Sequence, residues 1–74
     1  MRHRISNREL GERIGVSPSM ASRLRNGRRG PSVPVLYAIS EEFDLPLSRL
    51  VAARVEGPEA FGAVLQRRLE DGWT

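Results

Sequence analysis

The stretch Ser6-Asn7-Arg8-Glu9-Leu10-Gly11-Glu12-Arg13-Ile14-Gly15-Val16-Ser17-Pro18-Ser19-Met20-Ala21-Ser22-Arg23-Leu24 decides the fold. Ser6 and Glu9 have capping-box spacing, in which the hydroxyl takes the N–H at Glu9 and the carboxylate reaches back. That predicts a first helix over Asn7 to Ile14, with Leu10 and Ile14 on one face. Gly15 suits a left-handed stop, where a Cβ would cost roughly 1–2 kcal/mol. Ser17 then caps a second helix, and Pro18 takes its first position, where a missing N–H is harmless. This helix is expected to run to Asn26, with Gly27 ending it. Gly15-Val16-Ser17 supply a tight turn, a buried corner and a cap, and Gly11 is small where the two helices must cross closely. Leu10, Ile14, Val16, Ala21 and Leu24 form the inward set. Residues of about 7–26 therefore carry a helix-turn-helix pattern.

Outward from this pair the apolar residues keep helical spacing, and no stretch alternates cleanly enough to be a strand. A third helix is expected from Val33 to Phe43, capped by Ser32, with Pro34 in its first turn and Leu36, Ile39 and Phe43 buried. A fourth covers about Leu47 to Arg54, with Leu50 and Val51 inward. A C-terminal helix follows Gly57-Pro58 over about 58–71. Its stripe is Phe61, Val64, Leu65 and Leu69, with Trp73 just beyond. The expected architecture is all-α, a compact bundle of about five short helices in a single domain spanning 1–74.

Composition narrows the function. The chain has 74 residues and no Cys, so disulfides are excluded and a deep catalytic cavity is improbable at this size. His3 is the only His, which argues against a metal site. The longest apolar run, Val35-Leu36-Tyr37-Ala38-Ile39, falls far short of the roughly 20 residues a membrane span needs. The basic start Met1-Arg2-His3-Arg4 lacks the apolar segment of a signal peptide. No Gly-rich phosphate loop or nucleophile–base set is present. An enzyme, a cofactor and a small-molecule ligand are therefore not expected.

Charge is polarised along the chain. Residues 1–30 hold eight Arg against Glu9 and Glu12, whereas residues 31–74 hold four Arg against seven acidic residues. A basic half of this kind addresses an anionic partner. On a helical wheel, Ala21 and Leu24 set the inward direction of the second helix. Ser19, Ser22, Arg23 and Asn26 lie opposite, with Pro18 and Met20 on the flanks. A helix this narrow fits the DNA major groove. There Arg23 can fork onto a guanine edge for about 1–3 kcal/mol of discrimination, and the two Ser can read either edge less strictly. Arg28 and Arg29 follow in a loop, and Arg2 and Arg4 suggest a basic arm.

The stretch from Ser6 to Leu24, continued through Asn26-Gly27-Arg28-Arg29-Gly30-Pro31-Ser32, resembles the Cro/C1-type helix-turn-helix phage repressors. The likeness covers residues 6–52, including the core positions Leu36, Ile39, Phe43, Leu45 and Leu50. It implies a lambda-repressor-like fold and a recognition helix at about 18–26. It further implies phosphate contacts from Asn7 and Ser17 at helix starts, and from Arg28 and Arg29 in the loop. The chain departs from the family in lacking the usual helix before the pair. The C-terminal helix is expected to supply that cover, or else to form a dimer seam. Arg25 replaces a common Glu, adding positive charge near DNA. Asp44 replaces a common Gly, and Pro18 a polar residue at the recognition-helix start.

These readings lead to a sequence-specific double-stranded DNA-binding regulator of Cro or repressor type, cytoplasmic, without a sensor domain and possibly dimeric on operator DNA. The alternative is a protein-interaction module, an antitoxin or adaptor, that uses the C-terminal helix and Trp73.

Overall fold

The local signals around Ser6 and Gly15 set the first two elements. A computed structural model describes residues 5–71. It contains α1 (Asn7–Ile14), α2 (Pro18–Arg25), α3 (Val33–Phe43), α4 (Leu47–Glu56) and α5 (Pro58–Glu70), with no strand among the described residues. Ser6 Oγ accepts the Glu9 N–H at 3.0 Å. The Glu9 carboxylate, however, turns forward to Arg13 at 3.1 Å rather than back to Ser6. Arg13 also pairs with Glu42 at 3.0 Å, fastening α1 to α3. The forward pair wins because Arg13 lies one turn along the same face.

Gly15 is left-handed at φ 78°, and the Val16 N–H donates to the Gly11 carbonyl at 2.9 Å. That 6→1 bond turns the chain sharply into Ser17, whose Oγ accepts the Met20 N–H at 3.1 Å. The same device ends α3. Asp44 sits at φ 53°, and the Leu45 N–H donates to the Ser40 carbonyl at 3.1 Å. In each case the same carbonyl also accepts the N–H of the left-handed residue, so the 6→1 bond gives the next N–H a partner and closes the turn.

Several expectations need correction. Ser32 takes the N-cap position of α3, but its hydroxyl makes no cap bond. Asn26 caps α2 instead of extending it, and α4 continues to Glu56. Val51 is exposed, and Ala53 is buried with Leu50 instead. Leu50 and Ala53 are three residues apart and share a face, whereas Val51 is rotated by about 100° from Leu50. Val16 and Val64 are half-buried at the edge of the core.

The core joins all five helices. α1 lies on α2 and α3, α3 on α4, and α5 on both α4 and α2. Leu10 and Leu24 are fully buried, as are Phe61 and Leu65 of α5, and Leu69 nearly so. The apolar stripe of α5 is therefore core and not an external seam. Ile5, just ahead of α1, is buried with them.

Two features seat α5. A Cβ on Gly62 would lie 2.8 Å from the Gly27 nitrogen and 3.0 Å from the Leu24 carbonyl oxygen, so the α5 backbone touches the end of α2 directly. In addition, three arginines bind backbone carbonyls of distant segments. Arg25 Nη1 donates to the Ile5 carbonyl at 2.8 Å, Arg54 Nε to Pro31 at 2.9 Å and Arg68 Nε to Phe43 at 2.8 Å. No helix is long and apolar enough to cross a membrane among the described residues. Trp73, His3, Arg2 and Arg4 lie outside them.

Candidate nucleic-acid interface

The capped turn between α1 and α2 decides which residues of α2 can meet a partner. Ala21 and Leu24 are buried against the core. Consequently Pro18, Ser19 and Arg23 stand exposed on the outer face, with Ser22 half-buried beside them. Asn26 is exposed at the end of α2, and its Nδ2 donates to Ser22 Oγ at 3.2 Å. The loop that follows carries Arg28 and Arg29, both exposed. The Arg28 N–H donates to the Arg23 carbonyl at 2.9 Å, folding the loop back against α2.

The guanidinium groups of Arg23, Arg28 and Arg29 enter no ion pair or hydrogen bond among the described residues. They leave their donor forks for an external acceptor. By contrast, Arg13 is held by Glu9 and Glu42, and Arg8 lies 3.6 Å from Glu12. Among the described residues up to 30, the arginines left without a partner, Arg23, Arg28 and Arg29, are thus gathered toward the end of α2.

Two helix starts flank this surface. Ser17 is exposed, and its Oγ accepts from the Met20 N–H, leaving its own proton to donate. Asn7 is exposed at the start of α1, with its Oδ1 accepting from Arg25 Nη1 at 3.1 Å. Its amide N–H groups remain available.

Arg25 does not add charge to this surface as expected. Its Nη1 is shared between the Ile5 carbonyl and Asn7, and its Nε donates to Gln66 Oε1 at 3.1 Å. It is half-buried and joins the segment before α1, the end of α2 and α5. Its role as an orienting group for Asn7 was not readable from spacing. The only signal was its place at the edge of the buried face of α2. No group of three or more His, Cys, Asp or Glu able to hold a metal occurs among the described residues.

A capped helix pair, a short second helix with a polar outer face and unpaired arginines at its end define a helix-turn-helix protein. Over residues 2–50 the chain matches the helix-turn-helix family, and it belongs to that family in its Cro/C1-type form. It is a DNA-binding helix-turn-helix regulator. Comparison with curated proteins and with solved structures finds no match.

Proposed function

We propose that the chain is a sequence-specific regulator of Cro or repressor type, acting as one domain over 1–74 in the cytoplasm. It occupies double-stranded operator DNA and blocks polymerase there. In this reading α2 lies in the major groove. Ser19, Ser22 and Arg23 meet base edges, and Asn26 and Pro18 border them. Asn7, Ser17, Arg28 and Arg29 bind phosphates and set the register. The observation that carries this is the set of three guanidinium groups, without a partner among the described residues, beside a polar, outward face of α2.

Selection of duplexes from a random pool tests it. The wild type should enrich a short half-site, repeated about one helical turn apart. Arg23→Ala should relax the preference at one or two base pairs at a cost of about 1–3 kcal/mol. Replacing Arg28 and Arg29 by Ala should weaken all duplexes alike and lower the salt slope by about 1 per lost contact. Equal losses from all three changes, on selected and random DNA, would refute this division of labour. The interaction-module alternative would have to use the outer side of α5 and Trp73, since Phe61 and Leu65 are fully buried.

A further inference from the structure

The half of the chain after residue 30 is acidic, with four Arg against seven acidic residues. Three of those four Arg nevertheless meet at one place. α4 and α5 follow one another at Gly57 and pack together, which returns the end of α5 to the start of α4. Between them lies a cleft of about 350 Å³, lined by Leu45, Arg49, Val64, Arg67, Arg68 and Asp71. Three guanidinium groups thus share a cleft with a single carboxylate. Nothing along the sequence announces this, because Arg49 belongs to a different helix from Arg67 and Arg68.

The fold offsets little of the repulsion among these cations. Arg67 Nε and Asp71 Oδ2 are 3.8 Å apart, and both side chains are mostly exposed, so the pair is weak. Arg49 enters no ion pair or hydrogen bond among the described residues. It stands in the first turn of α4 with no acidic residue beside it, where the positive end of the helix disfavours a cation. Arg67 and Arg68 suit the last turn of α5. Arg49 is therefore the cation that helix stability does not account for. Arg68 Nε donates to the Phe43 carbonyl at 2.8 Å, which holds its guanidinium plane, and its terminal amino groups make no other hydrogen bond among the described residues.

We propose that this cleft binds a small phosphorylated molecule, with the phosphate held among Arg49, Arg67 and Arg68. A phosphate monoester carries close to two negative charges at neutral pH and three strong acceptor oxygens. That matches the excess of three guanidinium groups over one carboxylate, and each group can meet an oxygen with its fork. Leu45 and Val64 add a small apolar wall for the carbon end of the ligand. The volume lies near the lower end of the roughly 300–1,000 Å³ usual for small-molecule sites. The cleft is also separate from the surface assigned to DNA. On α5, Gly62 touches the end of α2 and Gln66 accepts from Arg25. At helical pitch the residues that line the cleft are turned more than about 100° from that flank. The proposal is thus independent of the operator-binding reading.

Titration of the full chain with inorganic pyrophosphate at low ionic strength, read by amide NMR shifts and calorimetry, tests it. Saturable binding should appear with a dissociation constant of roughly 0.1–1 mM, with shifts centred on the cleft. Arg49→Gln and Arg67→Gln, both exposed, should each weaken it by about 5- to 20-fold with an unchanged melting curve. Asp71→Asn should tighten it by about 2- to 5-fold. Joint replacement of Arg23, Arg28 and Arg29 by Ala should leave it unchanged. Malonate, a dianion with planar carboxylates, should bind several-fold more weakly. Absence of saturable binding overturns the proposal. So does binding that survives Arg49→Gln but is lost with the arginines at the end of α2. Equal binding of malonate refutes the assignment to phosphate. If Arg49→Gln and Arg67→Gln weaken duplex binding as much as pyrophosphate binding, the cleft is a second duplex contact and the small-molecule assignment fails.

Discussion

Asp44 holds a left-handed backbone at φ 53°, where a side chain costs on the order of 1 kcal/mol and Gly costs least. Asp44→Gly should raise stability by about 0.5–1 kcal/mol, seen as a melting temperature a few degrees higher. Gly11 presents the opposite case. Helix propensity alone favours Ala there by about 1 kcal/mol. A Cβ at this position, however, would run into the Val16 carbonyl and the Ser17 backbone. Gly11→Ala should therefore lower stability by roughly 1–3 kcal/mol, read as a lower denaturant midpoint. Both positions were open to sequence reading because their constraints are local. Asp44 and Gly15 end helices within a few residues of their caps, and Gly11 faces a turn only five residues on. Gly62 offered no such cue. Its neighbour Gly27 is distant in sequence, and an isolated Gly within a helical run is ordinarily only a weak helix former.

At the scale of elements, helix boundaries followed from caps and stops, and the tertiary ties did not. Arg25 shows why. Its partners Ile5, Asn7 and Gln66 lie 20, 18 and 41 residues away. Periodicity along one helix carries no trace of them, so its charge read as surface. Arg25→Ala should destabilise the fold by about 1–2 kcal/mol, because it frees one backbone carbonyl and two side-chain acceptors. Arg25→Lys should recover little, since a single ammonium cannot reproduce the planar fork that serves three acceptors. Urea unfolding of both variants, with the slope held constant, checks this. The variants should also weaken DNA binding modestly, because Asn7 loses the group that orients it. For the outer face of α2, the wheel drawn from Ala21 and Leu24 was sufficient to place Ser19 and Arg23 outward. It did not show that Asn26 is tied to Ser22, which depends on the exact end of the helix.

Over the whole molecule, α5 completes a core that the first four elements leave open. A chain of this size is marginal, with stability expected at the low end of roughly 5–15 kcal/mol. Removing residues from 57 onward would uncover Leu24 and Leu50 and delete Phe61, Leu65 and Leu69 together. The shortened chain should show little helical circular dichroism at room temperature, whereas the full chain melts cooperatively. The apolar stripe of this helix was legible from its spacing. Its placement, as lid or as contact with another copy, depended on distances that no single stretch of sequence contains.

The bare approach of Gly62 to Gly27 has a reach beyond packing. Gly27 is the hinge from which the segment bearing Arg28 and Arg29 departs, so the pitch of that segment is levelled by the last helix pressing on its root. A methyl group at position 62 would act as a shim, tilting Arg28 and Arg29 away from the phosphates that the proposed function assigns to them. Its mark would be weakened grip on every duplex, from a change in a helix that itself meets no DNA in that reading.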